Sequence, residues 1–370
     1  HTMRTEDWTK EEWEMTVQLE RITAQNAEEK HQELSKRRKS ERPRRTKKDW
    51  LRYAANLAAV AVLLYFLVNG IILFIFRALW TALEKGLSEE WKLQGEGIYR
   101  GIALAVPLLG LAAARLLLEQ GVKETPMRLK PNQPWPEEKQ IWLFVPAFMG
   151  LSVIGDMVTS VVRYGLEALT VYPPEQVVQL PENPLGVLYY FFVICIVSTV
   201  VNEWLVRGAL QKIFEPWGAW FSIVVSSVMF TLLHADLAKM PAIFLESVLM
   251  GLAAHCTGTL TVGMLLHFSS NVISFAFLFI RQKMQGVESF AMLVYLVVII
   301  FLAAAVCIGR IYQKQVLRSF RPIPWVYDPK NRQSRFERLA TTPLYLFVMI
   351  AMALRALWPM TGWTMPFWLT

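Results

Sequence analysis

The chain has 370 residues, of which 54% are hydrophobic and only 18% are charged, and its formal net charge is +8. Soluble domains carry about 25% charged residues, whereas this chain has several apolar runs long enough to cross a bilayer as a helix. The composition therefore excludes an ordinary soluble domain and predicts an all-α fold, a polytopic membrane bundle of about eight to nine transmembrane helices. The excess of Lys and Arg lies beside apolar segments, which indicates membrane topology and contact with membrane lipid rather than nucleic-acid binding.

Residues 1–50 are charged and are predicted to form a cytoplasmic, helical tail ahead of a transmembrane domain at 51–370. Residues 1–3, His-Thr-Met, read as a cloning remnant and are set aside. A basic cluster close to the first apolar run consists of Arg37, Arg38, Lys39, Arg42, Arg44, Arg45, Lys47 and Lys48. Because such clusters mark the cytoplasmic flank of membrane helices, we expect a multi-pass protein of the bacterial cytoplasmic membrane with its N-terminus inside.

The predicted spans follow in chain order at about 53–79, 98–118, 141–168, 185–213, 217–234, 237–256, 258–280, 288–311 and 341–358. Proline-containing stretches at 125–140 and 172–184 separate the second, third and fourth spans. The three cysteines lie inside apolar runs, which is typical of thiols packed as small hydrophobic groups and implies no disulfide framework.

Three of the five histidines, His234, His255 and His267, lie within apolar stretches. An ionisable side chain inside a membrane is costly unless it is paired or functional, so each is a candidate site residue. His255 has no polar motif around it, and we interpret it as structural. Three further intramembrane ionisable residues without a motif are Arg115, Asp156 and Glu246.

The fourth span contains the sequence Asn202-Glu-Trp-Leu-Val-Arg-Gly208. Glu203 and Arg207 are four residues apart, so they share a helix face and are expected to form an ion pair. That pair either fixes the orientation of the helix or belongs to a functional site. Asn202 lies about 100° around the helix from Glu203 and points elsewhere.

Two later spans each place a histidine beside a helical neighbour. Phe230 and His234 are four residues apart, so the phenyl ring is expected to wall a pocket that the imidazole lines. His267 and Asn271 have the same spacing, which suits orienting a water molecule or polarising a carbonyl group. The alternatives are a histidine at a helix end and a helix–helix hydrogen bond. A zinc site formed by His234, His267 and Glu203 is a further alternative.

Together these motifs resemble those of the CPBP family, which comprises CAAX proteases and bacteriocin-processing or self-immunity (Abi) proteins. Residues 202–208 resemble the family's EExxxRG motif, 230–234 its FxxxH motif and 267–271 its HxxxN motif. The stretch Gly251-Leu-Ala-Ala-His-Cys-Thr-Gly-Thr-Leu260 resembles the glycine-bearing helix and turn that precede the third motif. The resemblance covers about residues 185–280.

The resemblance implies an intramembrane endopeptidase of the glutamic type, with a membrane-associated or lipidated peptide or protein as its substrate and no cofactor or bound metal. Carried over by position, His234 would orient or activate a water molecule, and His267 with Asn271 would stabilise the oxyanion. Glu203 and Arg207 would brace the site.

The chain departs from the family at the leading glutamate, because Asn202 occupies that position. A carboxamide cannot accept a proton at neutral pH, so Asn202 cannot act as the general base. Three explanations are open: a natural pseudoenzyme that binds a peptide, lipid or membrane-protein partner, a takeover of the base role by Glu203, or a substitution introduced to trap a substrate. A transporter is a further alternative, although we see no internal repeat of the kind that transporters contain.

Overall fold

The computed structural model describes residues 49–125, 138–171, 178–283 and 334–358, and isolated positions within 9–25, 127–135 and 295–309. The segment His1–Asp49 and the membrane bundle Trp50–Thr370 are separate compact units. Most of the predicted tail, most of the predicted span at 288–311 and the residue Cys307 therefore lie outside the described residues.

The described helices of the bundle are numbered here in chain order. They are α1 (Trp50–Glu84), α2 (Glu89–Gly121), α3 (Glu138–Ala168), α4 (Pro184–Trp217), α5 (Ala219–His234), α6 (Met240–Thr257), α7 (Leu260–Lys283), α8 (Arg335–Ala340) and α9 (Pro343–Leu357).

The all-α membrane fold predicted from composition is confirmed. Among the described residues no strand occurs, and six helices, α1 to α4, α6 and α7, are long and apolar enough to cross a membrane. The apolar helices α5 and α9 are shorter, with 16 and 15 residues. The predicted total of about eight to nine spans stays a prediction, because α5 and α9 are shorter than the roughly 20 residues that a full crossing needs.

Helix α4 carries the first motif, and its ends follow from local sequence. The side chain of Asn183 caps the first turn by accepting a hydrogen bond from the amide of Gly186, and Pro184 occupies the first helical position, where its missing amide hydrogen costs nothing. The helix ends before Gly218, which has a φ of 118°. Glycine adopts such a positive φ readily because it has no Cβ. Two π-helical segments widen α4: Phe192–Val197 precedes the first motif at 202–208, and Val206–Leu210 begins within it.

Helices α5, α6 and α7 follow one another through short connections. Ala235, with a φ of 51°, ends α5 in the left-handed conformation. Gly258, with a φ of 71°, ends α6, and its amide donates to the carbonyl of Ala254. A glycine at this position is the usual way to stop a helix. These two turns return the chain so that the FxxxH and HxxxN motifs can both approach α4.

Small residues bring α1 and α2 into close contact. Five alanines of α1 are fully or almost fully buried: Ala54, Ala55, Ala58, Ala59 and Ala61. Gly110 of α2 faces Asn69 and the backbone of Tyr65 so closely that a Cβ there would lie 2.5 Å from Asn69 Oδ1 and 2.9 Å from the Tyr65 carbonyl oxygen. The close approach matters for the site, because Tyr65 lines the cavity described below.

The substitution Gly110→Ala is therefore expected to destabilise the bundle by about 1–3 kcal/mol, the usual cost of overpacking. The matched control is Gly97→Ala in the same helix, where no heavy atom lies within 4 Å of the added Cβ. The control should be neutral or stabilising, since alanine is favoured over glycine in a helix by about 0.5–1 kcal/mol. Thermal unfolding of both variants in detergent tests this, and equal midpoints would contradict the proposed α1–α2 packing.

Candidate active site

The Glu203–Arg207 pair of α4 is completely buried. The Arg207 Nε atom lies 3.5 Å from Glu203 Oε2, and the two side chains are 1% and 0% exposed. Arg207 Nη2 donates to the carbonyl oxygen of Ser247 at 2.8 Å and to its hydroxyl at 3.0 Å. The pair therefore ties α4 to α6, and both charges are removed from contact with solvent.

His267 joins the same cluster from α7. Its Nδ1 atom donates to Glu203 Oε1 at 3.0 Å, and its side chain is only 9% exposed. Gly263 lies one turn earlier in α7, and a Cβ at that position would lie 2.8 Å from Glu203 Oε2. The glycine thus lets α7 approach the carboxylate closely enough for the imidazole to reach it.

The ring of Phe230 lies at the centre of the cluster. It contacts the imidazole of His234 with ring centroids 4.4 Å apart and that of His267 at 5.9 Å, both edge to face. The guanidinium of Arg207 lies 5.1 Å from the centroid of the same ring. A cation over an aromatic ring is a favourable contact when both are desolvated. The predicted contact of Phe230 with His234 is therefore observed, and it extends to Arg207 and His267. The predicted role of the phenyl ring as a pocket wall is not seen, because Phe230 is not among the residues that line the cavity at His234.

A cavity of about 210 Å³ lies beside this cluster, between α1, α2, α4 and α5. Two of the six predicted site residues, Asn202 and His234, line it, together with Tyr65 and Ser198. The remaining lining is apolar and consists of Leu104, Pro107, Leu108, Leu111, Val193, Ile194 and Leu233. The cavity thus combines a few polar groups with an apolar wall, which is the usual composition of a ligand site.

The two predicted residues that line the cavity, Asn202 and His234, are held in defined orientations. His234 donates from Nδ1 to the carbonyl oxygen of Phe230 at 2.9 Å, because a carbonyl can only accept. In neutral His234 the other ring nitrogen, Nε2, is therefore unprotonated and able to accept a proton. The Asn202 amide donates to the carbonyl of Ser198 at 2.9 Å and to its hydroxyl at 3.0 Å. Both bonds use the amide nitrogen of Asn202, and the amide oxygen is the atom of this side chain that can accept a hydrogen bond.

The other four predicted residues do not line the cavity. Glu203, Arg207 and His267 form the buried cluster behind it. Asn271 donates to the carbonyl of Ile194 at 3.0 Å and to the hydroxyl of Thr199 at 3.1 Å. That carbonyl belongs to the π-helical part of α4, where the backbone hydrogen-bond pattern is shifted. The proposed oxyanion role of His267 and Asn271 therefore stays a prediction.

Two further intramembrane ionisable residues, His255 and Arg115, pair with side chains that do not line the cavity. His255 Nδ1 lies 3.3 Å from Glu215 Oε1, and Glu215 also pairs with Lys212 at 2.9 Å. Arg115 pairs with Glu119 at 3.3 Å. Within the described part of the chain, no three His, Cys, Asp or Glu side chains are grouped closely enough to hold a metal ion.

Several residues of the site were not predicted from sequence. Ser247 and Thr199 accept hydrogen bonds from Arg207 and Asn271, and Tyr65 and Ser198 line the cavity. Serine, threonine and tyrosine are common in membrane helices, so no spacing singled them out. Gly263 lies four residues before His267, and this helical spacing was the one available signal.

The bundle and its buried polar cluster define an integral membrane protein with a candidate site inside the bundle, to which six helices contribute: α1, α2 and α4 to α7. Residues 184–273 match the family model described as type II CAAX prenyl endopeptidase Rce1-like. This match confirms the resemblance to the CAAX proteases of the CPBP family, and it contains all six predicted site residues. No curated protein and no solved structure matches the chain significantly.

The buried ion pair yields a stability prediction. Glu203→Gln keeps the side-chain shape but leaves Arg207 as a buried unpaired charge, which costs about 3–5 kcal/mol. The double variant Glu203→Gln/Arg207→Met should recover much of that loss, because it leaves no buried charge. Thermal unfolding in detergent measures both.

The matched control for this experiment is Lys239→Gln. Lys239 is 53% exposed and lies 3.9 Å from Asp236. Because exposed ion pairs contribute at most about 1 kcal/mol, the control should change the midpoint little. A Glu203→Gln variant as stable as this control would mean that the Glu203–Arg207 pair does not hold the bundle together.

Proposed function

We propose that this protein is an intramembrane CAAX-type protease scaffold that binds a membrane-associated or lipidated peptide in the cavity at Asn202 and His234. We further propose that, with Asn202 in place, it hydrolyses that peptide slowly or not at all. The observation that carries the proposal is the shared cavity: the positions of the family's leading glutamate and its second-motif histidine face one space.

The chemistry of the two cavity residues supports binding more than hydrolysis. Peptide hydrolysis needs a base that removes a proton from water. Asn202 can orient a water molecule through its amide oxygen but cannot take its proton. His234 can accept a proton at Nε2, so any residual hydrolysis would depend on His234. A missing general base typically lowers the rate by a factor of about 10² to 10⁴.

The position of Glu203 argues against its taking over as the base. Its carboxylate is fully buried, is paired with Arg207, accepts from His267, and does not line the cavity. Turning it toward the cavity would break two charged contacts and leave Arg207 unpaired, which is unfavourable inside the bundle. We therefore assign Glu203 to the structural support of the site.

The apolar lining favours a lipid-embedded or lipidated partner over a soluble one. Seven of the cavity residues carry apolar side chains, and three of the four helices around the cavity, α1, α2 and α4, are long enough to cross the membrane. A catalytically inactive scaffold that holds a membrane-protein partner in the same cavity is the second candidate, and Asn202 is the residue that favours it.

The decisive experiment restores the missing carboxylate. Asn202→Glu should raise the hydrolysis of membrane-anchored reporter peptides by about 10² to 10⁴ over the unchanged protein, because it supplies the general base. Cleavage by purified protein in lipid nanodiscs, followed by mass spectrometry of the products, measures the gain.

Two further variants make this experiment specific. Asn202→Gln, which enlarges the side chain but adds no base, should give no gain, and Asn202→Glu/His234→Ala should lose the gained activity. High hydrolysis by the unchanged protein that survives His234→Ala would refute the proposed impairment. Absence of both peptide binding and cleavage in every variant would refute the protease scaffold itself.

A further inference from the structure

The last described helix, α9, contacts the end of α5 through a charged residue. Arg355 Nη1 donates to the carbonyl oxygen of Leu233 at 3.1 Å, and Leu233 immediately precedes His234. The guanidinium also lies 5.3 Å from the centroid of the Phe66 ring. Arg355 therefore contacts both α5 and α1 directly behind the wall of the cavity.

The physical reason for this contact lies in the end of α5. The last carbonyls of a helix have no intrahelical partner and carry partial negative charge, so a cation placed there is stabilising. Helix α5 ends at His234, and its cap Ala235 is a non-glycine residue in the left-handed conformation. A helix end of this kind needs external support, and Arg355 supplies a charged donor to it.

We infer that Arg355 is a positioning residue for His234: by binding the Leu233 carbonyl it fixes the last turn of α5, so that the imidazole keeps its bond to Phe230 and presents Nε2 to the cavity. A charged residue in an apolar helix is costly without a partner, and the Leu233 carbonyl is that partner here. Helix α9 lies outside residues 184–273, so the site depends on a part of the chain beyond the family match.

The contact itself does not depend on the enzymatic role, whereas its importance for hydrolysis rests on the proposed function. The two can be separated by a readout of His234 that requires no turnover. The hydrogen bond from Nδ1 to Phe230 holds neutral His234 in one tautomer, and the ¹⁵N chemical shifts of a histidine distinguish its two tautomers. Loosening the last turn of α5 would mix them.

The test uses the full chain labelled with ¹⁵N-histidine in lipid nanodiscs, with the His234 signals assigned by their loss in His234→Ala. We expect one tautomer in the unchanged protein, a mixture in Arg355→Met and an intermediate spectrum in Arg355→Lys, because lysine keeps the charge but not the planar donor geometry. The matched control is Arg115→Met, since Arg115 is also intramembrane but pairs with Glu119. Its His234 signals should stay unchanged.

His234 signals in Arg355→Met identical to those of the unchanged protein would overturn the inference. If Arg355→Met does not fold, identical signals in Arg355→Lys would overturn it equally. In the Asn202→Glu background, Arg355→Met should lower kcat on the order of 10-fold to 100-fold with little change in KM, since misplacing a catalytic group reduces the rate of the chemical step. If Asn202→Glu alone gains no hydrolysis, the proposed function is refuted, whereas the tautomer result remains valid.

Discussion

The buried ion pair between Glu203 and Arg207 is the constraint on which the site depends. Two charges without access to water are stable only when their remaining hydrogen-bonding groups find partners. Partners for part of these groups come from three other helices: Ser247 of α6 accepts from Arg207, His267 of α7 donates to Glu203, and Phe230 of α5 covers the guanidinium. Glu203 Oε2 and Arg207 Nε face each other at 3.5 Å as an ion pair, and neither they nor Arg207 Nη1 make a hydrogen bond within the described residues. One i, i+4 pair on α4 thus fixes how α5, α6 and α7 pack around it.

The geometry of α4 also directs the buried pair and the cavity residue Asn202 to different sides of the helix. Successive residues of a helix point about 100° apart, so Glu203 turns toward the buried cluster while Asn202 turns toward the cavity. Two π-helical segments, one before the motif and one that begins within it, shift the backbone of α4. The first contains Ile194, whose carbonyl accepts from Asn271. Such segments are frequent at functional sites. The geometry of α4 therefore places the bracing residues and the cavity residues on different faces.

The fold class could be predicted from the sequence because the composition indicates it. Contacts between residues four positions apart could also be predicted, because such residues share one face of a helix. The pairing of Glu203 with Arg207 and the packing of Phe230 on His234 are of this kind. The link between His267 and Glu203 joins residues 64 positions apart and depends on the tertiary packing of α7, which no local pattern encodes. The contact of Arg355 with Leu233 spans 122 positions and involves a helix without a motif, so it had no signal in the sequence.

Because the cavity residues and the buried Glu203–Arg207 pair lie on different faces of α4, position 202 can carry an amide without a change in the shape of the cavity. Asn202 is held by Ser198 one turn earlier on its own helix, and His234 by Phe230 one turn earlier on α5. Neither contact belongs to the Glu203–Arg207 pair, so an exchange of carboxylate for carboxamide at position 202 leaves the cluster that joins the helices intact. Placing the neutral amide inside the bundle also costs less desolvation than placing a carboxylate. The residues that line the cavity and those of the buried pair therefore make separate contacts, and either set can change without the other.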